Sequence, residues 1–326
     1  MLIDIIAGAR PNFMKIAPLI HEIHKRQKNN IDISYQLIHT GQHYDKNMSD
    51  NFFKQLNIPY PDINLNVGSG SQAIQTANIM IGYEKKLDHK SPEICLVVGD
   101  VNSTMACSIV AKKKGIKVAH IEAGIRSFDL SMPEEINRMV TDSISDYFFT
   151  TSQDANFNLD KLGINKKYIY YVGNLMIDTL ISNKLNFIKP PFFDQKFLKN
   201  KEYFVITLHR PSNVDKYETL KNILDIINNN VNNLPVIFPV HPRIKNNIEK
   251  MKNIFNNFIF VSPLSYLEFN YLVFNSKCVI TDSGGITEET TVMDIPCITL
   301  RNNTERPETI DQGTNELAGL DPKNII

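Results

Sequence analysis

No stretch of this 326-residue chain approaches eighteen consecutive apolar residues, so no membrane span is expected. There is no CxxC pair, no HxH, no HExxH and no paired-Asp cluster, and so no metal site is expected. Cysteines number four, Cys95, Cys107, Cys278 and Cys297. They are scattered, and three sit inside apolar segments, which reads as buried free thiols in a reducing cytoplasm rather than disulfides or ligands. An excess of charge is missing too. Thirty-five Lys and Arg balance 35 Asp and Glu, so no net field draws the chain to nucleic acid or to an anionic membrane. The apolar run at the N-terminus is short, is broken by Asp4 and leads into a turn, unlike a secretory signal. The first turn, Gly8-Ala9-Arg10-Pro11, is not GxGxxG, which argues against a dinucleotide.

What remains is a globular composition, 42% hydrophobic and 21% charged, long enough for about two domains. Short apolar runs alternate with helical stretches. Residues 1–7, 35–40, 93–98, 117–121 and 147–150 read as strands, with helices from Asn12 as a cap, from about Ser103 to Lys114, and from Pro133 to Ile144. An amphipathic helix carries Met48, Phe52, Phe53 and Leu56. The region from Tyr171 to Pro191, rich in proline at its end, reads as a connection between domains. The pattern then restarts, with strands at 203–208, 235–240, 258–261 and 278–281 and a helix over 217–229. This alternation predicts an α/β protein of two Rossmann-like domains facing across a cleft, 1–175 and 176–326.

Ligands of such sheets bind beyond the carboxyl ends of the strands. The residues there are Arg10, Lys15, His43, Asp100, Glu122, His209, His241, Arg243, Ser283 to Gly285 and Arg306, and a helix start adds Glu134. Singly each has a bland explanation. Asp100 could cap a helix, Glu134 and Glu135 could complement a helix dipole, and a lone histidine is usually structural. Glu122 is harder to dismiss, because a carboxylate beside Gly124 in a buried sheet needs a partner. Occurring together, these residues offer acid/base carboxylates on one side and cations on the other.

The stretch from Thr281 to Arg306 gives the second half its chemistry. Cys278-Val279-Ile280 feeds the turn Asp282-Ser283-Gly284-Gly285, then a segment with Glu288 and Glu289, a second apolar run from Cys297, and finally Arg301 and Arg306. Paired glycines let backbone N–H groups approach a phosphate, and a helix N-terminus adds a favourable dipole. Glu289 could accept from a ribose, and Arg306 could pair with a diphosphate. A nucleotide-sugar enzyme without metal or redox cofactor fits this set best.

The motifs GARPNFMK, TGQHYD, VVGDVNST, HIEAGIRSFD, MPEEINR, VGNLMID, TLHRPSN, PVHPR, TDSGGITEE and TERPE, in this order, cover nearly the whole chain. Together they resemble the non-hydrolysing UDP-N-acetylglucosamine 2-epimerases, whose fold is that of the GT-B glycosyltransferases. The resemblance implies reversible inversion at C2 of UDP-N-acetylglucosamine to UDP-N-acetylmannosamine, by loss of UDP and its re-addition to the other face. It implies Asp100, Glu122 and Glu134 as catalytic carboxylates and His209 at the diphosphate. Arg10, Lys15, Ser283, Gly284, Gly285, Glu289 and Arg306 match UDP-contacting positions, and Phe269 a residue on the uracil side. It also implies a cytoplasmic homodimer with a UDP-sugar substrate, no cofactor and neither nucleic-acid nor membrane partners. Three departures qualify it. The short connector SFDLSM, residues 127–132, also occurs in 2-epimerases of UDP-2,3-diacetamido-glucuronate, and so that sugar is the alternative substrate, with glycosyl transfer the alternative reaction. Gln42-His43-Tyr44-Asp45 departs from the QHR of the bacterial regulatory site. Relatives continue past GTNELAG into further helices that pack back on the first domain, whereas this sequence ends at Ile326.

Overall fold

The computed structural model of the chain describes residues 1–41, 52–241 and 244–319. The side chain of Arg10 lies outside that description, as do Met48, His43 and Arg243. The chain divides into two compact units, Met1–Ile181 and Ser182–Ile326.

In the first unit the apolar runs become parallel strands: β1 (Leu2–Ala7), β2 (Ser34–His39), β3 (Ile63–Asn64), β4 (Ile94–Val98), β5 (Lys117–Ile121), β6 (Tyr147–Thr150) and β7 (Ile169–Tyr171). Between them run α1 (Arg10–Lys28), α2 (Gln72–His89), α3 (Asn102–Lys113), α4 (Pro133–Ile144) and α5 (Gln153–Lys161), with α6 (Leu175–Asn183) following β7. The sheet order is β3-β2-β1-β4-β5-β6-β7, every pairing parallel. Continuous apolar strands such as ICLVV suit a parallel sheet covered on both faces. On one of those faces Ile6, Ile38, Val97 and Val118 pack with Ile79, Tyr83 and Leu87 of α2 and with Ala106, Cys107 and Val110 of α3.

The second unit repeats the pattern. Its strands are β8 (Phe204–Thr207), β9 (Val236–Pro239), β10 (Phe258–Val261), β11 (Cys278–Thr281), β12 (Cys297–Thr299) and β13 (Asn315–Leu317). Its helices include α7 (Tyr217–Asn230), α8 (Lys245–Met251), α9 (Tyr266–Asn275) and α10 (Gly284–Val292). The strand order β10-β9-β8-β11-β12-β13, all parallel, is that of the first six strands of the other sheet. In each unit the order reverses beside the first strand, between β1 and β4 and between β8 and β11. These are the switch points at which such sheets open a crevice.

Three expectations change. Asn12 does not cap α1 from in front. The helix begins at Arg10 after Ala9, with Pro11 in its first turn, where a missing N–H costs nothing. Asn12 instead reaches back from inside the first turn, its Oδ1 accepting from the backbone N–H of Gly8 at 3.0 Å and of Ala9 at 2.9 Å. The region 171–191 is not all connector, since α6 buries Met176 and Leu180 and Thr179 donates to the carbonyl of Met14 at 2.5 Å. Finally, α2 has no counterpart in the sequence reading. Ser71 caps it, and its buried Lys86 pairs with Asp4 of β1, which also accepts from Tyr83 at 3.0 Å. The four cysteines are free and buried. Among the described residues, no helix is long and apolar enough to cross a membrane.

Candidate functional site

At the switch point of the first unit, Asn12 ties the turn after β1 to the end of β4, its Nδ2 donating to the carbonyl of Val98 at 3.1 Å. One turn along α1, the buried Lys15 donates to Glu122 Oε2 at 2.6 Å. This is the partner that a carboxylate ending a buried strand requires. Glu122 is the first residue past β5 and stands at φ +68°, a left-handed backbone that a side-chain-bearing residue adopts only when its surroundings enforce it. Gly99, at φ +71°, lies against the pair, and a Cβ there would come 3.3 Å from Lys15 Nζ.

Asp100 follows Gly99 and is half-buried. It caps nothing, because α3 starts after Val101. Its carboxylate accepts from Arg138 Nε at 3.1 Å, and its carbonyl from Asn137 Nδ2 at 2.8 Å. Arg138, fully buried, also donates to Glu135 Oε2 at 2.7 Å. Glu135 in turn accepts from the backbone of Ser127 at 2.9 Å and of Phe128 at 3.2 Å, holding the 127–132 connector. Glu134 is exposed on the first turn of α4. Behind these groups lies a buried network that the sequence did not single out. Asp142 accepts from His120 Nδ1 at 2.7 Å, from the N–H of Gly124 at 3.0 Å and from Arg126 at 2.7 Å. Its only legible signal was a polar residue at a position facing the sheet.

In the second unit the turn after β11 carries Asp282, fully buried. Rather than capping α10, its carboxylate meets the loop after β8. It contacts His209 Nδ1 at 2.7 Å and accepts from the backbone N–H of Arg210 at 2.9 Å and from Asn213 Nδ2 at 3.0 Å. Burial pushes the Asp282 carboxyl up, but His209 and the two backbone amides more than offset this, leaving it below its ordinary value. His209 is thereby aimed by a fixed anion while its ring stays about half exposed.

Ser283 precedes α10 without capping it through its side chain, so Gly284 and Gly285 begin the helix, with Arg301 and Glu305 against Gly284. Arg301 pairs with Glu305 at 2.6 Å, and Arg306 with Glu288 at 2.5 Å. Glu289 is buried and accepts from Tyr266 at 3.1 Å. Burial raises its carboxyl to about 7, with Glu288 adding to the rise and Tyr266 opposing it. Phe269 is half-buried on α9, in the turn after Tyr266.

Of the expected residues, the fold gathers Lys15, Asp100 and Glu122 around Gly99 in one unit. In the other, Asp282 joins His209 to the start of the Ser283–Gly285 turn, and Glu289 and Arg306 lie on or beside α10. No group of three or more His, Cys, Asp or Glu able to hold a metal occurs among the described residues.

The family model described as UDP-N-acetylglucosamine 2-epimerase matches residues 24–326. The chain is 43% identical to a UDP-N-acetylglucosamine 2-epimerase of Methanococcus maripaludis, over 99% of this chain and 89% of that one. It is 37% identical to a UDP-2,3-diacetamido-2,3-dideoxy-D-glucuronate 2-epimerase of Pseudomonas aeruginosa, over 100% of this chain and 90% of that one. Among solved structures it superposes with TM-score 0.91 on the Methanocaldococcus jannaschii UDP-GlcNAc 2-epimerase in complex with UDP-GlcNAc and UDP. That match is 41% identical and covers 100% of this chain and 91% of the other.

Proposed function

This chain belongs to the UDP-N-acetylglucosamine 2-epimerase family, and from that premise we propose that it interconverts UDP-N-acetylglucosamine and UDP-N-acetylmannosamine. The observation that carries the reading is the Lys15–Glu122 pair beside Asp100 at the first switch point. It supplies carboxylates held beside cations at the end of a parallel strand, the groups a proton transfer at C2 needs.

In the forward direction the C1–O bond breaks and its electron pair leaves with the β-phosphate oxygen of UDP. The C2 proton passes to a carboxylate, leaving a 2-acetamidoglucal. A proton delivered to the opposite face of C2, with UDP returning to C1, completes the inversion. The C2 proton is weakly acidic, so stabilising the departing diphosphate must carry much of the barrier. The division of labour follows. Asp100, Glu122 and Glu134 handle protons and the positive charge growing at C1. His209, the Ser283–Gly285 turn, Arg306 and Arg10 neutralise the diphosphate, with Lys15 at the boundary of the two tasks. Glu289 takes the ribose and Phe269 the uracil side. No metal or redox cofactor is called for, and the enzyme works as a cytoplasmic homodimer.

The experiment is proton NMR of the purified protein with UDP-N-acetylglucosamine in heavy water. UDP-N-acetylmannosamine should appear, with deuterium at C2 of both sugars. An unchanged spectrum would defeat the reading. The 37% identity to the diacetamido-glucuronate epimerase supports running that sugar in parallel, and turnover of it alone would move the substrate while keeping the chemistry.

A further inference from the structure

We infer that Asp142 is a positioning residue for the epimerisation: through His120 and the backbone of Gly124 it fixes the two loops that carry Asp100 and Glu122, without meeting substrate itself. The inference rests on the roles proposed above for those two carboxylates.

Asp142 sits near the end of α4 and is wholly buried. Its Oδ1 accepts from His120 Nδ1 at 2.7 Å, and its Oδ2 from the N–H of Gly124 at 3.0 Å and from Arg126 Nη1 at 2.7 Å. His120, also wholly buried on β5, relays the contact: its Nε2 lies 2.8 Å from the carbonyl of Gly99. A single carboxylate thus reaches the residue before Asp100 through one imidazole, and the residue two beyond Glu122 directly.

Both loops need such an anchor. Gly99, Glu122 and Gly124 all stand in the left-handed region, at φ +71°, +68° and +79°. For Glu122, which carries a side chain, this backbone is strained and persists only while neighbouring contacts impose it. Arg138 holds the Asp100 side chain and Lys15 the Glu122 side chain, and the N–H of Gly99 donates to the carbonyl of Ile121 at 3.0 Å. Asp142 adds the link that reaches Gly99 and Gly124 together, the latter on the far side of Glu122 from that bond. Burial would push the Asp142 carboxyl up, yet the charges of His120 and Arg126 outweigh it and keep it ionised, an acceptor on both oxygens. An amide in its place turns an N–H towards either the imidazole or the Gly124 and Arg126 donors, so one loop loses its hold.

The test uses the full chain with Asp142→Asn, His120→Gln and the double variant, assayed well below each melting temperature. Each single change should lower kcat by about a hundredfold, as a misplacement of roughly 1 Å does, with KM and the UDP Kd unchanged. The double variant should fall no further than the worse single, because the two residues act as one unit. A kcat within about threefold of wild type in folded protein would overturn the inference, as would losses that simply multiply. A crystal structure of Asp142→Asn decides independently of substrate. Glu122 should leave its left-handed backbone or part from Lys15, and loops that stay in place would also overturn the inference. Should wild type turn over no UDP-sugar, the proposed function fails while this structure still rules on the anchor. Where Asp142→Asn does not fold, His120→Gln carries both readouts.

Discussion

The two units share a strand order and differ in what they place at the switch point. In the first, the residue after β5 is Glu122, a buried carboxylate in a left-handed turn beside a lysine. In the second, the turn after β11 carries Asp282, equally buried but spent on aiming His209 and closing a loop. The neighbouring turn is left to two glycines at the start of α10. One topology therefore carries two different sets of groups past its strand ends: carboxylates paired with cations in the first unit, and in the second a histidine on a buried aspartate beside a helix that starts at two glycines. The strand order fixes where a site forms, and a handful of residues past the strand ends fixes what it does.

The comparison breaks most sharply at Glu122. Glu122→Gln should lower kcat by roughly a thousandfold, the scale of removing a positioned acid or base. UDP binding should stay within about twofold in a calorimetric titration. A parallel loss of UDP affinity would erase the distinction between the units.

Next in size is Gly124→Ala. A Cβ there would lie 2.3 Å from the carbonyl oxygen of Ala155, on a backbone at φ +79°. Overpacking and the left-handed backbone together should cost roughly 3 kcal/mol of stability, read as a lowered denaturant midpoint. The glycine turn after β11 in the second unit has no such clash. A Cβ on Gly284 meets nothing closer than 3.6 Å, so Gly284→Ala should leave the midpoint within about 1 kcal/mol.

The smallest effect concerns Glu289. Its carboxyl stands at about 7 when folded, above the ordinary 4.5. A raised carboxyl favours the folded state at low pH, and that contribution fades as pH rises through the folded value. Wild type should therefore lose a few degrees of Tm between about pH 5 and pH 8 that Glu289→Gln does not lose. Asp282, depressed instead of raised, acts in the opposite sense. Its contribution disappears as pH falls through its folded value, below about pH 4, so the two windows do not overlap.

Much of the fold was legible because buried parallel strands are mostly apolar runs, and ICLVV, FVIT and, Asp4 apart, LIDIIA announce themselves. α2 was not legible. Ile74 and Ile81 are exposed on it while Lys86 is buried, which inverts the usual helical pattern, and only Asp4, some eighty residues away, explains the lysine. α6 lay hidden between exposed Tyr171 and the prolines, its few buried residues too sparse to mark a face. For the site, strand-end position and motif picked out the residues just past the strands, buried ones such as Glu122 and Lys15 included. The supporting groups, Asp142, His120, Arg138 and Asn213, sit on elements whose facing sides appear only once the sheet is assembled.

The central claim is that the proton chemistry resides in the first unit while UDP binding, Arg10 and Lys15 apart, resides in the second, and paired calorimetric titrations of UDP into Asp100→Asn and Arg306→Ala test it most directly. Asp100→Asn should bind UDP as wild type does while turning over orders of magnitude more slowly. Arg306→Ala should bind UDP about tenfold to a hundredfold more weakly, the worth of one charge-assisted contact. Equal loss of UDP affinity in both variants, or normal turnover by Asp100→Asn, would contradict the account.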